Sequence, residues 1–89
     1  MNTIDEFLSA VSSPLNFLAT ASADAAARTR LPSRALAARG EALLRDVRDT
    51  RVRADLQALC QELLAFEAAA PEQRRAHVER CRALVERLR

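Results

Sequence analysis

Three soft side chains in one stretch, Cys60, His77 and Cys81, are the residues of this chain best suited to chemistry; they include both cysteines and the only histidine. Thiolate and imidazole are the preferred ligands of zinc, and a pair of thiols can also form a disulfide. A three-residue set lacks the fourth ligand of a structural zinc site, which would have to be a carboxylate, water or a second chain. The third reading is plain packing, since free cysteine behaves as a small buried apolar residue. If the segment folds as a helical hairpin turning at Ala70 and Pro71, Cys60 and Cys81 fall at one level and His77 lies one turn before Cys81. All three readings, redox pair, metal ligands and packed core, follow from that placement. No metal or other cofactor is expected.

Other catalytic patterns are lacking. The chain has a single glycine, so a glycine-rich phosphate loop cannot be built. Ser9, Ser12, Ser13, Ser22 and Ser33 read as cap or linker residues rather than as partners of His77. The expectation is therefore a protein that is not an enzyme and takes no small-molecule substrate.

The elements that would carry these residues are helical. Of 89 residues 49% are hydrophobic, but 19 of those are alanine, which buries little area and leaves a thin core for one small domain. Ala, Leu, Arg and Glu favour helix, and the supply of aromatic and β-branched residues that a sheet needs is missing. The fold expected is all-α: a single small helical bundle over residues 1–89, with short N-terminal helices and a C-terminal antiparallel helical hairpin.

Along the chain, Thr3 and Glu6 form a capping box. Ile4, Phe7, Leu8 and Val11 follow at helical spacing. Ser13 and Pro14 predict a break and a fresh start, leaving residues 1–12 as a detachable helix and Leu15, Phe17 and Leu18 on a second one. The Ala/Ser/Thr/Asp-rich stretch at 19–31 reads as a weakly held helix or a mobile link. Pro32 and Ser33 repeat the start signal, with Ser33 as cap. Leu36, Gly40, Leu43 and Val47 then form a seam in which Gly40 permits close helix approach, and the polar "RDVRDT" ends or bends that helix. Val52, Leu56, Leu59, Leu63 and Phe66 step by four and three, a heptad seam capped by Asp49 or Thr50. Pro71 opens the last helix, whose inner face is Val78, Cys81, Val85 and Leu88.

Every basic residue is arginine, and the formal net charge is only +2. The charge comes in blocks: −3 over residues 1–27, +5 over 28–53, −4 over 54–73 and +4 over 74–89. Alternating blocks suit complementarity within a bundle or between subunits. They also outline a basic segment of Arg28, Arg30, Arg34, Arg48, Arg51 and Arg53 that could contact nucleic acid, although lysines and stacking aromatics are missing from it. The start "MNTIDEFLSAV" has acids where an export signal needs Lys or Arg, and no stretch approaches a membrane span, so a cytoplasmic protein with no membrane partner is expected.

The thin core points to a small helical interaction or adaptor protein that forms a homo-oligomer or docks a helix of a partner protein. Ile4, Phe7, Leu8, Val11, Leu15, Phe17 and Leu18 are the candidate partner-binding residues. A nucleic-acid accessory module using 28–53 is the alternative, and a Cys/His redox or metal switch the third reading.

The series "SPLNFLA", "RLPSRALAARGEALL", "LQALCQELLAFEAAAPEQRR" and "ALVERLR", with Pro14, Leu15, Phe17 and the spaced leucines, resembles the N-terminal helical extension before the wedge domain of some bacterial RecG-like branch-migrating DNA helicases. The resemblance spans about residues 13–89. It implies a non-catalytic helical accessory module near DNA machinery, in a bacterial protein, and carries over no catalytic residue.

Overall fold

The computed structural model describes residues 3–28 and 30–89. Residues 1 and 2 of the expected detachable segment and residue 29 of the expected link lie outside them. Five helices follow one another: α1 (Ile4–Thr20), α2 (Ala23–Arg28), α3 (Ser33–Leu44), α4 (Thr50–Ala68) and α5 (Pro71–Leu88). Among the described residues there is no strand, and the fold is all-α.

α1 begins where the sequence places it. Thr3 Oγ1 accepts from the Glu6 N–H at 3.2 Å, and Asp5 and Glu6 put negative charge on the first turn. The expected break at Ser13 and Pro14 does not occur, and Pro14 lies inside one continuous helix. A proline there costs one backbone hydrogen bond. Against that cost, Phe7, Leu8, Val11, Leu15 and Leu18 form one uninterrupted buried stripe. Ending the helix at Pro14 would turn Leu15 and Leu18 away from it, so burial outweighs the local signal.

Residues 19–31 contain α2, whose first turn is held by Ser22 Oγ accepting from the Ala25 N–H at 3.2 Å. Leu31 then anchors the connection, being buried in the core. The start of α3 also departs from expectation. Pro32 is the N-cap, its carbonyl accepting from the Leu36 N–H at 3.0 Å. Ser33 is the first helical residue, and its buried hydroxyl donates to the Leu31 carbonyl at 3.4 Å. A hydroxyl turned into the core needs a partner, and the preceding carbonyl is within reach.

The polar segment after Leu44 is a true break. Arg53 closes it, its guanidinium donating to the Leu44 carbonyl and, at 3.1 Å, to the Val47 carbonyl. Asp49 caps α4, with Oδ1 accepting from Arg51 N–H at 2.9 Å and Val52 N–H at 3.2 Å. The heptad seam is buried as predicted at Leu56, Leu59, Leu63 and Phe66, with Val52 half-buried. Ala70 caps α5 and Pro71 occupies its first turn. Val78, Cys81 and Val85 face inward.

Helix pairing is cyclic. α3 and α5 each pack against both α1 and α4. The helices come close at Gly40, where a Cβ would stand 2.5 Å from the Cys60 sulfur and 2.9 Å from Phe7 Cζ. The lone glycine therefore lets α1, α3 and α4 meet at one point. Among the described residues no helix is long and apolar enough to cross a membrane.

Candidate interaction groove

Cys60 and Cys81 are both buried and both free. The Cys60 sulfur packs over Gly40 of α3 beside the Phe7 ring. Burial, reinforced by the Glu41 carboxylate, pushes its thiol up to about 11 from 9.0. Burial, with Glu62 adding to it, pushes the Cys81 thiol up to about 12. Thiols held this way stay protonated at neutral pH and are poor nucleophiles and poor ligands.

His77 is engaged elsewhere. Its Nδ1 lies 2.7 Å from Glu62 Oε2, and Arg80 Nε lies 3.3 Å from the other oxygen of the same carboxylate. Glu62 of α4 thus bridges two residues of α5 and fastens the hairpin. Among the described residues no three His, Cys, Asp or Glu side chains are placed to hold a metal ion, so Cys60, His77 and Cys81 are not assembled into such a site.

The basic segment is dispersed. Arg34 pairs with Glu67 at 3.3 Å, at the C-terminal end of α4. Arg51 lies at the opposite end of that helix, about 24 Å away at 1.5 Å rise per residue. Arg53 is committed to the α3 carbonyls. Arg28 ends α2, Arg30 lies in the connection after it, and Arg48 lies in the α3–α4 turn; all three are exposed. Arg34 and Arg51 therefore lie near opposite ends of α4, and Arg34 and Arg53 are already engaged within the fold.

The partner-binding candidates divide sharply. Phe7, Leu8, Val11, Leu15 and Leu18 are core residues of the chain itself, and Ile4 packs against that core half-buried. Only Phe17 stands out of it, 50% exposed. On α1 it belongs to an apolar row, Ala10, Pro14 and Phe17, spaced four and three. The other members are half-buried.

An open groove of about 340 Å³ runs between α1 and α5. Ser12, Leu15 and Asn16 line one wall, and Glu79, Arg82, Glu86 and Arg89 line the other, with Ala83 and Val85 between them. Arg89 spans it, donating to Ser12 Oγ at 3.1 Å while lying 3.8 Å from Glu86. Arg82 lies 3.5 Å from Glu79. The α5 wall is thus a row of alternating sign.

Sequence reasoning missed this wall because it summed the charges of residues 74–89 as one basic block. Arg82 turns back to Glu79. Asp55 is buried and reaches Arg87 of α5 at 3.1 Å. The available signal was the spacing of Glu79, Arg82, Glu86 and Arg89, which places all four on one face.

Comparison with known proteins finds no family model, no curated protein and no solved structure that matches this chain. The likeness to the helical extension of RecG-like helicases rests on the quoted residues alone.

Proposed function

We propose that this chain is a non-enzymatic helical interaction module that self-associates or docks a helix of a partner protein. The observation that carries this reading is the open α1–α5 groove with its row of exposed charges, and α1 separately presents the half-exposed Phe17 ring. Large aromatics are preferred anchors of protein interfaces, and a trough between two helices is the usual seat of a third. The buried, protonated thiols and the Glu62-bound His77 support a role in binding rather than catalysis. Arg34 and Arg53 are engaged within the fold, which favours the interaction reading over the nucleic-acid alternative.

Light scattering on a sizing column over a wide concentration range, with and without reductant, tests the reading. The wild-type mass is expected to rise with concentration and to be indifferent to reductant, since both thiols are buried and free. Phe17→Glu is expected to move that rise to roughly tenfold higher concentration without changing the helical circular dichroism signal. An assembly that Phe17→Glu leaves untouched would remove Phe17 from the interface, and one that dissolves in reductant would move the interface to the cysteines.

A further inference from the structure

Four charged residues of the groove wall, Glu79, Arg82, Glu86 and Arg89, carry a symmetry that specifies their counterpart. All four side chains are largely exposed. Their spacing of three, four and three reads the same in both directions along α5. Their signs alternate, so they invert when the direction is reversed. A second α5 laid antiparallel against this face, centred at the level of residue 84, therefore sets an acid opposite a base at every position. Glu79 meets Arg89 of the other copy and Arg82 meets its Glu86, each pairing occurring twice. Laid parallel in register, every charge would meet its own sign.

We propose that the groove is an interface between two copies of this chain, docked through antiparallel α5 helices about a twofold axis. The inference deepens the interaction reading above and rests on it. A twofold interface must be complementary to itself, and this row satisfies that condition. A polyanion, or a partner of single charge, would meet repulsion at two of the four positions. The exposed Ala83 lies at the centre of the row and keeps the helices free to approach. The row spans about 15 Å of helix. Its charges fix the orientation of the copies more than their affinity, and they make association sensitive to salt.

Charge swaps in the full-length chain separate this arrangement from the helix-internal pairs seen in the monomer. Glu79→Arg alone sets an arginine against Arg89 of the other copy at two places in the dimer and is expected to weaken dimerisation about tenfold or more, measured by sedimentation equilibrium. Adding Arg89→Glu restores the cross-copy pairs while spoiling both pairs within the helix, and is expected to restore the dimer. Adding Arg82→Glu instead keeps the local Glu–Arg pair reversed but intact and spoils every cross-copy pair, so the dimer should stay weak. Arg82→Glu with Glu86→Arg gives a second restoring pair, and circular dichroism checks that each variant keeps its helices. Rescue by the first and third combinations but not the second supports the proposal. A wild type that stays monomeric at every concentration overturns it. A dimer lost with Phe17→Glu but indifferent to all the swaps also overturns it, while leaving the interaction reading in place.

Discussion

Gly40 is the residue on which three helices converge, and its value lies in the side chain it lacks. Replacing it with alanine gains about 1 kcal/mol of helix propensity. It also drives a methyl group into the Cys60 sulfur and the Phe7 ring, and overpacking of that kind costs about 1–3 kcal/mol. We expect Gly40→Ala to be destabilising by roughly 1 kcal/mol in urea unfolding. In combination with Cys60→Ala the loss should be smaller than the sum of the two, because the sulfur that blocks the methyl is gone; strict additivity would refute the contact. The thiols make a second residue-scale prediction. Both are raised in the folded chain, so folding favours their protonated form. Their contribution to stability is complete below about pH 9, where the unfolded thiols are also protonated, and falls as pH rises toward 11 and 12. Replacing both cysteines with alanine should flatten that alkaline fall. Iodoacetamide should label neither thiol in the native protein at neutral pH, and rapid labelling followed by mass spectrometry would contradict their burial.

At the scale of the helix, α1 is the element whose role the structure changes most. Its sequence suggests a short, removable helix ending before Pro14. In the fold it is one continuous helix that contributes Phe7, Leu8, Val11, Leu15 and Leu18 to the core and packs on both α3 and α5. Deleting residues 1–21 should therefore abolish cooperative thermal unfolding and not merely free a docking arm. A truncated chain that still melts sharply near the intact protein would show that α3, α4 and α5 suffice. The α4–α5 hairpin behaves as its local signals require. Asp49 starts it, Pro71 turns it, and the Glu62–His77, Glu62–Arg80 and Asp55–Arg87 contacts fasten it at separated levels.

The molecule as a whole measures about 40 × 22 × 20 Å, and its core is small. Small domains bury a modest share of their surface and gain stability by association. That economy fits a chain that keeps a large aromatic half-exposed and a charged groove open between its first and last helices. Should the α5 row join two copies, the thermal midpoint will climb with protein concentration and drop with added salt, both readable in the same calorimeter. The alternating charge blocks along the chain are partly absorbed inside the fold. Arg34 with Glu67 and Arg87 with Asp55 pair a basic block with the acidic block of α4.

The sequence by itself determined the helical class, the α4 and α5 seams, a cap at Asp49 or Thr50 and the turn at Pro71. Those features depend on residues within a turn or two of one another, or on a period that repeats along one helix. The continuity of α1 through Pro14, the inward turn of Ser33 and the Asp55–Arg87 pair were decided by tertiary structure. In each, the burial of a face or the reach of a distant partner outweighed a local preference. The groove belongs to this second group. Its walls come from opposite ends of the chain, so the spacing of the α5 charges marks one wall only, and the groove exists because α1 packs against α5.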